Sequence, residues 1–237
     1  MSEITAILEQ YALKYGIALS GGMTGQLELY AATLIKWSEK MNLTSITQPA
    51  EIAIKHFLDS LLPLSAVKIP EGASLIDVGS GAGFPGVVMK IARPDIKLTL
   101  LDSMKKRTEF LAELSGLLGQ DNAIIRARAE EAGRDEAHRE RYDFAAARAV
   151  APLPVLCEYC LPFVKPNGAF IALKGPGAKR ESEDSKNALS LLLGDKPIVK
   201  EYFLPPDNTR NIIIIKKTSQ IPAKYPRPSA KITKTPL

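Results

Sequence analysis

From Ser74 onward the sequence alternates short apolar runs with amphipathic helical patterns, and this alternation restricts the fold more than any other feature. Runs with strand character lie at residues 74–78, 96–101, 123–128, 142–150, 169–173, 198–204 and 211–216. Strands that alternate with helices pack as a parallel sheet with helices on both faces. The last two runs are separated only by residues 205–210. A parallel crossover needs a dozen or more residues, so this final pair is predicted to be antiparallel.

The predicted fold class is therefore α/β, a doubly wound, Rossmann-like sheet that ends in an antiparallel hairpin. Three amphipathic stretches predict helices before the sheet, at residues 4–15, 27–37 and 50–64. A C-terminal hairpin of this kind is uncommon among nicotinamide-binding domains and resembles the sheet of class I S-adenosylmethionine-dependent methyltransferases. The predicted domains are a helical extension at 1–68, a sheet domain at 69–218 and a basic tail at 219–237.

The positive charge of the chain is concentrated near its end. The chain has 31 Lys+Arg, 26 Asp+Glu and a net charge of +5, and residues 216–237 contain six of the basic residues and no acidic residue. A basic segment beside a near-neutral body is typical of a protein that binds nucleic acid, although a solubilising tail is the alternative. The predicted RNA-binding residues are Lys216, Lys217, Lys224, Arg227, Lys231 and Lys234.

Composition predicts a cytoplasmic protein with no membrane or metal partner. Hydrophobic residues make up 46% of the chain, yet no apolar run approaches the roughly 20 residues of a membrane span. The first ten residues lack the basic-then-apolar pattern of a secretion signal. The two cysteines, Cys157 and Cys160, form a C-x-x-C pair, but the two histidines, His56 and His138, lie far away in sequence. Zinc needs four ligands, so we interpret the cysteines as core residues of a helix.

A glycine-rich segment follows the first strand and opens a helix, which is the context of a nucleotide-binding loop. It reads Asp77-Val-Gly-Ser-Gly-Ala-Gly-Phe-Pro-Gly86, and a second acid, Asp102, ends the next strand. Glycines let the backbone approach a ligand, and a carboxylate at the second strand can accept hydrogen bonds from ribose hydroxyls. The candidate cofactor-binding residues here are Asp77, Gly79, Gly81, Gly83, Phe84 and Asp102.

Two cofactors compete for this loop, NAD and S-adenosylmethionine. The spacing of Gly81, Gly83 and Gly86 satisfies the dinucleotide pattern, and Asp102 would serve either ribose. A carboxylate at Asp77 would repel a pyrophosphate but would favour the ammonium of the methionine group. Together with the terminal hairpin, this charge favours S-adenosylmethionine.

Further candidate residues follow the carboxyl ends of the later strands, where ligands lie in such sheets. Ala129 and Glu130 follow the third strand and are candidates for the adenine edge. Arg148 lies at the end of the fourth strand, where class I methyltransferases place the reacting centre, and we expect it to position substrate. Lys174, at the end of the fifth strand, and His56, in the helical region, are further catalytic candidates; phosphate binding suits the lysine and a packing role is the alternative for the histidine.

Several segments together resemble one family, the bacterial 16S ribosomal RNA guanine-N7 methyltransferases, also called glucose-inhibited division protein B. The blocks that end in Gly-Phe-Pro-Gly86 and that read His56-Phe-Leu-Asp-Ser60 are the most specific. The other matching segments are Met41–Thr44, Leu100–Arg107, Arg128–Glu131, Arg148–Val150 and Leu173–Gly175. In the tail, Tyr225-Pro-Arg227 and Pro236-Leu237 match but the intervening glycine is absent.

The resemblance implies methylation of N7 of one guanine in the 530-region loop of small-subunit RNA, with S-adenosylmethionine as methyl donor. It also implies cofactor contacts at Gly79, Phe84, Ala129, Glu130 and Arg148. Guanine N7 has a free lone pair, so we expect in-line transfer by positioning and no required general base. The expected partner is 16S ribosomal RNA or the small ribosomal subunit, with the target base unstacked from its neighbours.

Other functions stay open at this point. A small-molecule methyltransferase would have the same loop but little use for a basic tail. An NAD-dependent oxidoreductase would bind NADH at the loop, and an RNA-binding module without activity would use neither cofactor. Binding of S-adenosylhomocysteine or of NADH distinguishes these classes.

Overall fold

A computed structural model describes residues 2–148 and 151–237. Its centre is a sheet of seven strands in the order β3-β2-β1-β4-β5-β7-β6. The strands are β1 (Ser74–Val78), β2 (Lys97–Asp102), β3 (Ala123–Arg126), β4 (Tyr142–Arg148), β5 (Val164–Lys174), β6 (Ile198–Leu204) and β7 (Asn208–Lys216). Strands β1 to β5 are parallel, whereas β7 runs antiparallel to β5 and to β6. The predicted Rossmann-like sheet with its terminal hairpin is confirmed.

Helices precede the sheet, connect its strands and follow it. The α-helices are α1 (Glu3–Ala12), α2 (Gly21–Met41), α3 (Pro49–Glu51), α4 (Asp59–Ala66), α5 (Gly86–Ala92), α6 (Lys105–Leu117), α7 (Ala129–Ala132), α8 (Leu153–Cys160), α9 (Ala178–Asp184), α10 (Lys186–Leu191) and α11 (Ser229–Lys234). Short 3-10 turns continue α1 and α8, at Leu13–Tyr15 and Leu161–Phe163. None of the helices in the described parts of the chain is long and apolar enough to cross a membrane.

A π-helix at Ile52–Leu58 joins α3 to α4, so the third predicted helix is one continuous helical segment with a widened middle. The pattern of residues 50–64 predicts an ordinary amphipathic helix and does not reveal this widening. Pro49 begins the segment, where its missing N–H costs nothing, and Pro63 lies within α4. Insertions of this kind recur at functional sites, and this one contains His56.

Most strand predictions are correct to within a few residues. Strand β5 begins five residues earlier than the predicted 169, and the last two positions of the predicted 142–150 strand lie outside the described residues. Between β3 and β4 the chain forms only the single turn of α7, and after β5 it forms two short helices, α9 and α10, that meet at Ser185. Helix α11 in the tail was not predicted.

Two apolar cores lie on opposite faces of the sheet. Alternate residues of each strand supply them, so Leu75 faces one core and Ile76 the other. The first core also contains side chains of α1, α2 and the Ile52–Leu58 segment, such as Leu8 and Phe57. The helices before the sheet therefore pack directly on it. The second core takes in α8 and also residues of the tail.

Candidate active site

Three neighbouring cavities lie along the edge formed by the carboxyl ends of the parallel strands. The glycine-loop cavity, of about 460 Å³, is lined by the 79–84 loop, Asp102 and Arg148. The strand-end cavity, of about 180 Å³, shares Gly79 and Asp102 with it and continues towards Glu130. The Lys174 cavity, of about 420 Å³, shares Arg148 with the glycine-loop cavity on the other side. A larger hollow of about 610 Å³ between α9, α10 and β6 contains none of the predicted site residues.

The glycine loop is held tightly against the end of β2. Gly79 and Ser80 both donate backbone hydrogen bonds to the Leu101 carbonyl, at 2.8 and 3.0 Å. Gly83 has a φ of +91°, and a Cβ at this position would fall 2.7 Å from the Tyr30 hydroxyl oxygen. Only glycine fits there, because a side chain would be strained and would collide with α2.

Asp77 lies under this loop and not in the cavities. Its carboxylate is fully buried and accepts a hydrogen bond of 2.8 Å from the Gly86 backbone N–H at the start of α5. Burial raises the pKa of this carboxyl group to about 7. The contact with Gly86 braces the loop from below, and cofactor binding by Asp77 stays a prediction.

Asp102 lies where the glycine-loop and strand-end cavities meet. Its Oδ2 accepts a hydrogen bond of 2.9 Å from the Gly81 N–H, and its Oδ1 accepts one of 2.9 Å from the Met104 N–H. Arg107 Nη1 lies 3.5 Å from Oδ2. Each carboxylate oxygen has more than one lone pair, so Asp102 can hold the loop and still accept from a ligand hydroxyl.

The strand-end cavity is lined by Ala129 and Glu130, as the sequence predicts for a nucleobase site. Two further residues line it, Tyr159 from α8 and Ser229 from α11. The Tyr159 hydroxyl lies 3.3 Å from Ser229 Oγ. Sequence reasoning missed both, because they come from distant parts of the chain and belong to no motif.

Arg148 separates the glycine-loop cavity from the Lys174 cavity. Its Nη1 donates to the carbonyl oxygens of Lys55 and His56, at 3.2 and 3.4 Å, and to Asp59 Oδ2 at 3.1 Å. The guanidinium carbon lies 4.6 Å from the centre of the Phe84 ring, a cation–π contact. The π-helical segment and the glycine loop thus fix one side chain between two cavities.

His56 lies within the same cluster and is nine-tenths buried. Its ring stacks on Phe84 at 4.5 Å, Nε2 lies 2.9 Å from Thr44 Oγ1 and Nδ1 lies 3.4 Å from Arg148 Nη2. Burial and the charge of Arg148 lower the pKa of His56 to about 4. The imidazole is therefore neutral at pH 7. Since arginine can only donate, Nδ1 accepts and the ring proton lies on Nε2, directed at Thr44.

The Lys174 cavity is bordered by basic side chains that are already paired. Lys174 Nζ lies 2.7 Å from Glu181 Oε2 and donates to the Ala151 carbonyl at 2.6 Å. Arg210 Nε lies 3.3 Å from Asp59 Oδ1, so this carboxylate is placed between Arg148 and Arg210. Glu181 thus offsets the charge of Lys174, and phosphate binding by this lysine stays a prediction.

The tail divides the predicted RNA-binding residues into two groups. Lys216, Lys224, Lys231 and Lys234 are exposed. Lys217 is buried, with Nζ 2.6 Å from Glu140 Oε1, and Arg227 pairs with the buried Glu158 at 2.7 Å. The donors of Lys217 and Arg227 thus hold the tail to the body, and RNA contact by these two residues stays a prediction.

The cysteine pair is buried inside α8. Burial raises the pKa of the Cys157 thiol well above its usual value. The described residues contain no group of three or more potential metal ligands among His, Cys, Asp and Glu.

Fold and site together define a class I, Rossmann-like methyltransferase. Its sheet ends in the antiparallel hairpin, and a glycine loop and a strand-end acid meet at one edge. Among solved structures, the CurJ carbon methyltransferase aligns with a TM-score of 0.56 over 92% of this chain and 70% of that chain, at 13% identity. A predicted O-methyltransferase from Agrobacterium tumefaciens aligns with a TM-score of 0.52 over 70% and 81%, at 15% identity. At such identities the likeness shows the fold alone.

Sequence comparison gives the family. The model of the GidB family, rRNA small subunit methyltransferase G, matches residues 23–205. The chain is 47% identical to ribosomal RNA small subunit methyltransferase G of Alkaliphilus metalliredigens over 99% of both chains. It is 45% identical to the Bacillus licheniformis protein of the same name over 100% of this chain and 98% of that one. The chain belongs to the rRNA small subunit methyltransferase G family, which confirms the predicted family and enzyme class.

Proposed function

We propose that this enzyme transfers a methyl group from S-adenosylmethionine to N7 of a guanine in the 530-region loop of 16S ribosomal RNA. The family assignment supports a ribosomal RNA substrate. The observation that carries the site assignment is the position of Arg148, which lines both the glycine-loop cavity and the Lys174 cavity. One cavity would hold the methyl donor and the other the guanine, with the reaction beside Arg148.

The glycine-loop and strand-end cavities fit S-adenosylmethionine. The glycine-loop cavity, of about 460 Å³, is within the range of small-molecule sites. The smaller strand-end cavity adjoins it at Asp102, whose carboxylate suits the ribose. The bare backbone of Gly79 and Gly81 suits the amino-acid part, and Ala129 and Glu130 suit the adenine. When bound, this cofactor supplies an electrophilic methyl group on a sulfonium ion.

The side chains around Arg148 suit a reaction without a general base. The pKa of His56 is lowered to about 4, so its imidazole is a weak base, and its proton is directed at Thr44 Oγ1. The ring therefore suits positioning better than proton removal. Thr44 Oγ1 also accepts from the Ile46 N–H at 3.0 Å, so its own hydroxyl hydrogen can be donated to a ligand. Guanine O6 is an acceptor beside N7, and a donor at O6 orients the base without occupying the reacting lone pair.

Charge balance also suits this reaction, in which the product base is cationic. A bare guanidinium beside the target would repel that product. Arg148 is instead paired with Asp59, whose second oxygen faces Arg210. Asp59 is nearly fully buried, so this pairing is little screened by water.

A binding experiment tests the cofactor assignment. S-adenosylhomocysteine should raise the melting temperature of the full-length protein, and NADH should not, because only a ligand of the folded state stabilises it. Stabilisation by NADH alone would contradict the proposal and would favour an oxidoreductase.

A further inference from the structure

The segment after β7 is firmly docked on the body of the protein. Arg139 donates hydrogen bonds of 2.7 Å to the carbonyl oxygens of both Ile221 and Tyr225. Arg134 Nε donates to the Pro226 carbonyl at 2.7 Å. Both arginines lie in the segment between α7 and β4. Their side chains therefore fix the backbone of the tail to the sheet domain.

A single buried carboxylate then fixes the next turn of the tail. Glu158, on α8, is fully buried, and its carboxylate accepts hydrogen bonds from three donor groups of Arg227. These are the backbone N–H at 2.7 Å, Nε at 2.9 Å and Nη2 at 2.7 Å. A two-pronged ion pair of this type fixes orientation as well as distance.

This ion pair sets the position of two residues at the strand-end cavity. Tyr159 follows Glu158 on α8, and Ser229 lies two residues after Arg227. Both side chains line the cavity together with Ala129 and Glu130, and their hydroxyl oxygens lie 3.3 Å apart. Ile232 of α11 is fully buried, so the helix that carries Ser229 is anchored at a second point.

We propose that the tail forms a wall of the nucleoside site: Tyr159 and Ser229 contact the adenosine part of the cofactor, and the Glu158–Arg227 pair positions them. The inference rests on the proposed function, because it takes the strand-end cavity to be the adenine end. It changes the role of the tail from an RNA-binding arm alone to a part of the cofactor site. Cofactor binding and tail docking are then linked, since each favours the other.

A pair of substitutions tests this proposal. Ser229→Leu fills the cavity while leaving Arg227, Glu158 and Ile232 in place. Ser219→Leu is the matched control, because Ser219 is an exposed serine of the same segment. Calorimetric titration of the full-length proteins with S-adenosylhomocysteine and with adenosine measures the effect. We expect Ser229→Leu to weaken both ligands at least tenfold and Ser219→Leu to leave both unchanged.

Arg227→Met provides a second test, because it removes the ion pair with Glu158 that positions Tyr159 and Ser229. Arg227→Met should also lower the free energy of unfolding, because it leaves the buried Glu158 carboxylate without its partner. In the folded variant it should weaken adenosine and S-adenosylhomocysteine by the same factor, because the pair positions the nucleoside wall. Wild-type affinity for both ligands in a folded Ser229→Leu protein would overturn the inference and leave the proposed function intact. Failure of the wild-type protein to bind S-adenosylhomocysteine would overturn the proposed function and, with it, the inference.

Discussion

Arg148 is placed by contacts from two separate parts of the chain. Carbonyl oxygens of the π-helical segment, the Asp59 carboxylate and the Phe84 ring surround it. His56 completes this cluster as a neutral ring, because protonation beside a guanidinium inside the protein is unfavourable. The cluster can hold a base and a methyl donor in fixed relation without itself gaining or losing a proton at pH 7.

The low pKa of His56 predicts a loss of stability in acid. Its pKa is about 4 in the folded protein and about 6.5 when unfolded, so the unfolded chain binds more protons between these values. The free energy of unfolding therefore falls as the pH falls from about 6.5 to about 4. Each unit between the two pKa values corresponds to about 1.4 kcal/mol. Urea unfolding of wild type and His56→Gln across this range measures the contribution.

The comparison with His56→Gln removes the effects of other groups. Asp77, whose pKa is raised to about 7, acts in the opposite direction over the same range, but it is present in both proteins. We expect wild type to lose about 3 kcal/mol relative to the variant between pH 7 and pH 4. A constant difference across the range would contradict a neutral, buried His56.

Asp102 gives a second prediction at the scale of one residue. Asp102→Ala should weaken S-adenosylhomocysteine binding by about 1.5–3 kcal/mol, the usual loss for a charged hydrogen-bond acceptor. Asp121→Ala is a suitable control, because Asp121 is an exposed aspartate outside the cavities and pairs with Lys90. Equal affinity of both folded variants in a calorimetric titration would rule out a ribose contact by Asp102.

At the scale of elements, the start of α5 packs so closely against the end of β1 that no side chain fits between them. A Cβ at Gly86 would fall 2.8 Å from Asp77 Oδ2, 2.9 Å from Asp77 Cβ and 3.0 Å from a Leu98 methyl carbon. All three atoms are buried and belong to packed strands. The glycine is thus required by packing, not by backbone conformation.

Gly86→Ala is expected to destabilise the protein by about 1–3 kcal/mol, the usual cost of overpacking a core. Gly116→Ala in α6 is the matched control, because nothing lies within 4 Å of its added Cβ. Alanine favours a helix by up to about 1 kcal/mol over glycine, so this control should be neutral or stabilising. Similar destabilisation by both changes in thermal unfolding would contradict the close fit at Gly86.

Elements whose signals are local could be predicted from the sequence. The strand spacing gives the sheet, and the six residues between the last two predicted strands give the antiparallel hairpin. The π-helical segment could not be predicted, because its apolar pattern also suits an α-helix. The folded tail was missed because it depends on the Glu140–Lys217 and Glu158–Arg227 pairs, which join residues about 70 or more positions apart.

Similar reasoning explains what the sequence revealed of the site. Asp102, Ala129, Glu130 and Arg148 follow strands, so the common edge of the sheet brings them together. The direction of the Asp77 side chain could not be predicted. It is set by a hydrogen bond from the Gly86 N–H, which comes close to Asp77 only when the loop is folded. The roles of these residues in binding and catalysis stay predictions.

For the molecule as a whole, exposed basic residues of the tail are expected to attract RNA. Changing Lys224, Lys231 and Lys234 together to alanine should weaken RNA binding and flatten its salt dependence, with a change of about 2 in the logarithmic slope for a single strand. Lys97→Ala is the control, because exposed Lys97 begins β2 at the opposite edge of the sheet from the cavities. Filter binding of a small-subunit RNA loop across salt concentrations measures both.

An unchanged slope for the triple variant would assign RNA binding to another surface. Because these three side chains are exposed, the free energy of unfolding should stay within about 0.5 kcal/mol of wild type. Lys217→Ala should instead destabilise the protein strongly, since it leaves the Glu140 carboxylate without its buried partner.

Identification of the methylated atom tests the central claim most directly. Small subunits from cells without this modification would be incubated with the protein and labelled S-adenosylmethionine, and the label would be mapped along the RNA. We expect one labelled guanine in the 530-region loop, with RNA cleavage at that nucleotide after mild reduction and aniline, because 7-methylguanine is cationic and labile. Label on a cytosine, on a ribose oxygen or on a guanine that resists cleavage would contradict N7 methylation.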